Sequence, residues 1–276
     1  MFQPDLLAGK RVLVTGGGTG LGRSIARRYA ELGASLVLCG RRSEVLDATA
    51  AEITAETGAR VDVQTCDIRS GEAVEAMMER IWQDGPLDIL INNAAGNFLA
   101  RTHLLSHRAV DAVLNTVLHG AAYCTIACGR RWIEAGRPGV VLSILTLSAL
   151  QGAPFTAPSA MAKAGVLAMT RSLAVEWGRH GIRLVAVAPG SFPTPGAWKQ
   201  LMPEGRQKAP LDRSIPLGRH GEHAELANLC AFLASDQAGY ITGEAVVIDG
   251  GKRFLGGAGP SELLAWSDAQ WDALRS

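Results

Sequence analysis

No charge of either sign dominates this chain. Its 27 lysines and arginines meet 26 aspartates and glutamates, leaving a formal net charge of +1 over 276 residues. Nucleic acid and anionic membrane surfaces attract strongly basic proteins, so neither is expected as a principal partner. No apolar run of 18 residues stands out. The start, MFQPDLLAGK, has neither the basic opening nor the apolar stretch of a secretory signal. The five cysteines, at 39, 66, 124, 128 and 230, form no CxxC and have no paired histidines, and HExxH is missing. A disulfide framework and a metal site are therefore disfavoured, and a reducing cytoplasm is the expected setting. Cys124 and Cys128, one helical turn apart, read as small apolar core residues. Tyrosine is scarce, with only Tyr29, Tyr123 and Tyr240.

What is present is a regular alternation. With 47% hydrophobic residues and a mean hydropathy of +0.13, the chain can bury a large core in one α/β domain. Apolar, β-branched runs near 11–15, 35–39, 60–66, 87–92, 139–145, 182–188 and 245–249 are predicted strands. Helical patterns lie near 20–32, 43–57, 71–83, 106–134, 159–179 and 222–234. Val140-Val141-Leu142 and Leu184-Val185-Ala186-Val187 show little polar alternation, as strands covered on both faces require. The prediction is a single doubly wound Rossmann-type domain over 1–276, with about seven parallel strands and helices on both faces. Ligands in such sheets sit beyond the carboxyl ends of the strands. That rule selects the loops after Val14, Cys39, Ile91, Leu145 and Ala188.

The first loop is the most telling. RVLVTGGGTGLG carries glycines at 16, 17, 18, 20 and 22, between an apolar strand and a helical pattern. Glycines without a Cβ let the backbone approach a ligand closely, and the helix N-terminus that follows suits a pyrophosphate. The glycines alone would also fit an ordinary strand–turn–helix junction; the flanking strand and helix favour a dinucleotide. The second loop carries Arg41 and Arg42 where an NAD site would place a carboxylate. Guanidinium groups suit a 2′-phosphate, so NADP(H) is the expected cofactor; solvated surface arginines are the alternative. Asp67 and Ile68 follow the third strand, with Asp67 as an acceptor for the adenine amine. Asn93-Ala94-Ala95-Gly96 follow the fourth and allow close approach.

The stretch 191–220 contains five prolines. Lys199, Arg206, Lys208, Arg213 and Arg219 against Glu204 and Asp212 give it a local charge of +3. A loop this long is expected to bind substrate, the alternative being a solvated, mobile segment. The tail, 254–276, is Gly-rich and then weakly amphipathic through Leu263, Leu264, Trp266, Trp271 and Leu274. It is expected to pack on a neighbouring subunit.

In order along the chain, Thr15-Gly-Gly-Gly-Thr-Gly-Leu-Gly22, Asn92-Asn-Ala-Ala-Gly96, Ser159-x-x-x-Lys163, Pro189-Gly190 and Val247-Ile-Asp-Gly-Gly251 resemble the short-chain dehydrogenase/reductase pattern. The likeness runs from residue 9 to about 251. Ala94-Ala-Gly-Asn-Phe98, Pro158-Ser-Ala-Met-Ala-Lys-Ala-Gly165, Ala174-Val-Glu-Trp-Gly178, Glu225-Leu-Ala-Asn-Leu229 and the late Gln270-Trp271-Asp272 resemble the 2,4-dienoyl-CoA reductases in particular. The resemblance implies a cofactor site of Thr15, Gly16, Gly18, Thr19, Gly20, Leu21, Gly22, Arg41, Arg42, Asp67, Ile68, Asn93, Ala94, Ala95, Gly96, Lys163, Pro189, Gly190 and Thr194. It implies substrate contacts at Asn97, Phe98, Ser148, Phe192 and Arg219, an acyl-CoA substrate, and a homotetramer.

One departure is chemical. Most of the wider family carries Tyr-x-x-x-Lys, the phenol serving as acid toward a carbonyl oxygen; here that position is Ser159. In dienoyl-CoA reductases that serine is usual, and a tyrosine fifteen residues before the lysine can stand in; here that position is Ser148. Reducing a ketone creates an alkoxide that needs a positioned acid, worth about 10²–10⁴-fold. Reducing a dienoyl thioester spreads charge into a dienolate, whose oxygen needs hydrogen-bond donors more than a proton. The expected machinery is therefore Lys163, Ser159, Asn97 and Ser148. Ser159 also fits a helix N-cap. A 3-oxoacyl or ketone reductase, and a non-catalytic NADP(H)-binding sensor or scaffold, are the alternatives. His119 reads as a packed or solvated histidine rather than a proton relay.

Overall fold

Seven apolar runs become seven strands of one parallel sheet, in the order β3-β2-β1-β4-β5-β6-β7. The computed structural model describes residues 3–196, 214–255 and 267–273. The strands are β1 Arg11–Thr15, β2 Ser35–Gly40, β3 Val61–Thr65, β4 Ile89–Asn92, β5 Gly139–Ile144, β6 Ile182–Pro189 and β7 Ala245–Ile248. Between them lie α1 Gly20–Glu31, α2 Ser43–Thr57, α3 Gly71–Gln83, α4 His107–Leu114, α5 Gly120–Glu134, α6 Ser148–Gln151, α7 Ala157–Trp177 and α8 His223–Ala234. A short α9, Asp268–Ala273, follows in the tail. The predicted strands and major helices all appear, within a few residues at their ends.

The period-two alternation of each strand divides the core. Val12 and Val14, with Leu36, Leu38, Ile91 and Val187, pack under α1, α2 and α8. Leu13, Val37, Leu90, Val141 and Leu184 face the opposite layer of α3, α5 and α7. Each fully buried aliphatic side chain contributes about 1.5–3 kcal/mol. A one-residue slip would exchange the two faces, so the register Val12↔Leu36 and Val12↔Ile89 is strongly specified. All five cysteines are buried in these layers and unpaired, and burial raises the Cys124 and Cys128 thiols. Among the described residues no cluster of metal-ligating side chains occurs.

The predicted helix 106–134 is interrupted. Asn115–His119 form a single wide π turn between α4 and α5. Such turns are frequent at functional sites, and Thr116 within this one lines the cleft described below. The run His107–Glu134 is also long and apolar enough to cross a membrane by length and composition, contrary to the sequence expectation. Half of its most apolar stretch is buried against the domain, on α3, α7 and the sheet, as the core helix of a folded domain would be.

The strand order reverses between β1 and β4, so their carboxyl ends diverge and open a crevice. Lys199, Arg206, Lys208 and Arg213 of the basic loop, with Glu204 and Asp212, lie outside the described residues, as do Leu263, Leu264, Trp266 and Leu274 of the tail.

Candidate active site

The crevice is a cleft of about 790 Å³ along the carboxyl ends of β1, β2, β4, β5 and β6. One wall is the glycine turn. Gly16 (φ +65°) and Gly20 (φ +55°) adopt the left-handed region. A Cβ at Gly16 would lie 3.0 Å from Ala94 Cα, and one at Gly20 would lie 3.3 Å from Thr194 Cγ2. The N-cap of α1, Thr19, makes no side-chain cap bond and the first turn has no acid, so its leading N–H groups are open to an anion. The backbone cradle and the uncapped helix fit the pyrophosphate of a dinucleotide.

Two predicted cofactor residues act from beneath. Thr15 is buried; its Oγ1 donates to the Ile91 carbonyl and accepts from the N–H groups of Asn93 (3.1 Å) and Ala94 (3.1 Å). Asn93 Nδ2 in turn donates to the Thr15 and Gly16 carbonyls, at 3.0 and 3.2 Å. Gly22 lies so close to Gly16 and Asn93 that a Cβ would overlap both. Thr15 and Gly22 thus shape the turn without lining the cleft. Gly16, Gly18, Thr19, Gly20, Leu21, Ala94, Ala95, Gly96, Pro189, Gly190 and Thr194 do line it.

At the far end of this wall stand Arg41 and Arg42, both exposed, with Asp67 and Ile68. Asp67 does not wait as an unpartnered acceptor. Arg69 Nε lies 2.9 Å from each of its carboxylate oxygens, and this contact holds the carboxyl below its ordinary pKa, with Arg41 adding to the effect.

The other end is assembled from loops and the start of α7. Lys163 is buried and donates to the Ile144 carbonyl at the end of β5. Burial pushes its pKa down to about 8. Ser159, one turn earlier, is also buried and lines the cleft beside it. Ser159 is not the N-cap. Thr156 holds that place and Pro158 takes the second helical position, which leaves the serine inside the first turn. Asn97 lines the cleft, and its Oδ1 accepts from the Phe98 N–H (2.9 Å), leaving its amide N–H₂ as a donor. Asn92 and Ser143, in register on β4 and β5, are buried beneath; Asn92 Oδ1 and Ser143 Oγ have no hydrogen-bond partner among the described residues.

Three predicted substrate residues are placed elsewhere. Ser148 begins α6 and its hydroxyl lies 3.2 Å from Thr146 Oγ1, so that Thr146 lines the cleft and Ser148 does not. Phe98 packs on Val113, Val117 and Ala162 because that helix pair offers it an apolar slot. Arg219 is drawn to Glu225 by two bonds, 2.9 and 2.7 Å, in a separate small cavity. Phe192 lines both spaces, its ring lying on Gly221.

Sequence reasoning missed Thr116, Thr146 and Lys252, all of which line the cleft. Thr146 and Lys252 were accessible in principle, since each follows a strand end. Thr116 gave no signal, because it lies in a π turn inside an unbroken helical pattern. None of the three tyrosines lines the cleft: Tyr29 is buried with its hydroxyl donating to the Cys230 carbonyl (2.7 Å), Tyr123 is on α5, and Tyr240 is fully exposed. His119 is exposed, bonded to Asn115, and outside the cleft.

The family model described as enoyl-(acyl carrier protein) reductase matches residues 16–253. A probable 2,4-dienoyl-CoA reductase of Caenorhabditis elegans, (3E)-enoyl-CoA-producing, is 41% identical over 98% of this chain and 90% of its own length. A probable (2E)-enoyl-CoA-producing counterpart from Bacillus subtilis is 41% identical over 88% of this chain and 96% of its own. A gluconate 5-dehydrogenase of Burkholderia cenocepacia, solved in complex with NADP and tartrate, superposes with a TM-score of 0.84 at 29% identity, covering 91% of this chain and 98% of its own. With the glycine turn, the Ser159–Lys163 pair and the switch-point cleft in place, the chain belongs to the short-chain dehydrogenase/reductase family of nicotinamide-dependent oxidoreductases.

Proposed function

We propose that this chain is an NADPH-dependent reductase of unsaturated acyl-CoA thioesters, with a 2,4-dienoyl-CoA as substrate. The observation that carries the reading is a substrate end with hydrogen-bond donors and no phenol. Asn97, Ser159 and Lys163 line it, and all three tyrosines lie elsewhere. The dienoyl-CoA reductase relatives, 41% identical, point the same way.

A bound reduced nicotinamide supplies hydride. Arg41 and Arg42 hold the adenosine 2′-phosphate, and the uncapped start of α1 holds the pyrophosphate. Hydride addition at the far end of the diene moves negative charge onto the thioester oxygen. The Asn97 amide donates to that oxygen, and the Ser159 hydroxyl gives a second bond. Lys163 keeps a positive charge within the cleft and orients the nicotinamide ribose. A solvent proton then adds at carbon, so no side chain of high acidity is required.

A second reading, ketone reduction, draws support from the gluconate 5-dehydrogenase neighbour with its NADP. It demands a positioned acid that the cleft's tyrosine-free lining does not offer. Assembly as a tetramer fits the exposed Ile126 on α5 and Val175 on α7, and a cytoplasmic setting fits the free thiols. Following NADPH absorbance with 2,4-hexadienoyl-CoA tests the proposal: brisk oxidation is expected. Turnover of acetoacetyl-CoA in its place would favour the ketone reading. Tight NADPH binding with no turnover on any thioester would favour a binding protein.

A further inference from the structure

The segment after β6 passes directly over the glycine turn, and its hold on the rest of the domain is unusual. Gly190 is tied to β7 through its N–H to the Ile248 carbonyl, 2.8 Å. Ser191 is held by the returning chain, its carbonyl accepting from Gly221 N–H (3.0 Å) and its hydroxyl lying 2.8 Å from His220 Nδ1. Two residues on is Pro193, which has no N–H and can be anchored only through its carbonyl. That carbonyl is taken by His223 Nε2 at 2.8 Å. The other ring nitrogen, Nδ1, is 2.9 Å from Ser24 Oγ on α1, and the same hydroxyl is 3.1 Å from the Gly20 carbonyl. Thr194 then lies directly against Gly20, and both line the cleft.

We propose that His223 is a positioning residue for the cofactor. It ties the Pro193 backbone to the cofactor helix and so fixes Thr194 over the glycine turn. The hydrogen inventory fixes the Pro193 side of the ring. A carbonyl only accepts, so Nε2 carries the hydrogen; with the ring neutral, Nδ1 competes with the Gly20 carbonyl for the single Ser24 hydrogen, and either way the Ser24 hydroxyl stays bonded to the ring or to the glycine turn. The imidazole thereby bridges three elements: the segment after β6, α1, and α8, whose first residue it is. The capping box of Glu222 and Glu225 sets the start of α8, and with it the ring. A side chain with one polar end could hold the loop or the helix, but not both. The inference rests on nicotinamide binding in the cleft and not on the acyl-CoA reading, so NADPH affinity tests it with no thioester present.

The experiment is a fluorescence titration of NADPH into the full-length protein and its H223A, H223Q, H223N and S24A variants, with melting temperatures recorded alongside. Gln extends to the place of Nε2 and keeps the Pro193 bond. Asn reaches only the place of Nδ1. H223A should weaken NADPH binding about tenfold, H223Q should return it to within about threefold of the parent, and H223N should not recover it. S24A should weaken binding about threefold. Unchanged affinity in H223A, or equal loss in the Gln and Asn variants, would overturn the proposal, since packing alone would not separate those two side chains. If the His223 variants fail to fold, S24A decides, and an unchanged affinity there would overturn it.

Discussion

Along the glycine turn, at its cofactor end, the cleft is walled by backbone, and at its substrate end by side chains. Gly16, Gly18 and Gly20 line the first with nothing beyond Cα, over a turn fixed by Thr15 and Asn93. Asn97, Thr116, Thr146, Ser159 and Lys163 line the second, delivered by a loop, a π turn, a strand end and the first turns of α7. The first can change little without losing its shape. The second can exchange one group for another and keep its frame. The difference teaches that conserving the fold and changing the chemistry are separable because different parts of the chain bear them.

That contrast can be broken most forcefully at Lys163, the one buried cation of the cleft among the described residues. Replacing it by methionine should lower kcat/KM for the dienoyl thioester at least about 10³-fold, through loss of both a charge and an orienting donor. Steady-state NADPH oxidation measures this, and a loss under tenfold would remove Lys163 from the chemistry. Asn97→Ala should cost about 10²-fold in kcat and leave NADPH affinity unchanged, because its amide acts at the substrate end alone. Unchanged turnover would show that Asn97 is not the oxyanion donor.

The cofactor end tests the other side of the comparison. Removing Arg41 and Arg42 together should cut the preference for NADPH over NADH about 10–100-fold, leaving kcat with saturating NADPH nearly intact. Equal affinities for the two cofactors in the parent protein would instead make these exposed arginines surface groups. Ser148→Tyr asks whether the substrate frame still accepts a phenol. The residue sits at the start of α6 beside Thr146, which does line the cleft, so a longer side chain can extend toward it. A gain of about tenfold in turnover is expected, and no gain would mean that α6 no longer aims this position at the substrate.

The same division explains what was legible in the sequence. The strand–glycine–helix device at 11–22 declares itself because φ > 0 and close approach admit few residues, and α/β alternation fixes where the turn lies. Ser159 and Lys163 were legible too, since helical spacing alone puts them together. Ser148 and Arg219 were not. Their side chains are drawn away by partners near in sequence, Thr146 and Glu225, and no periodicity reports such a pairing. Thr116 depended on a π turn that the apolar pattern of 106–134 conceals.

The smallest expected effect concerns stability and separates the buried cation from the exposed ones. Burial lowers the Lys163 pKa from 10.5 to about 8 in the native protein. Below pH 8 both native and unfolded chains hold the proton, and the native state bears the full cost of a buried charge. Between pH 8 and 10.5 the unfolded chain binds more protons than the native one, so stability from this group rises with pH. Lys163→Met removes the group, and the melting temperature of the parent should gain a few degrees on that variant between pH 7 and pH 9.5 in the absence of cofactor. A gap that stays constant would mean that Lys163 remains charged throughout. The ammonium would then be stabilised by more than the Ile144 carbonyl, and the substrate end would hold its charge as firmly as the cofactor end holds its shape.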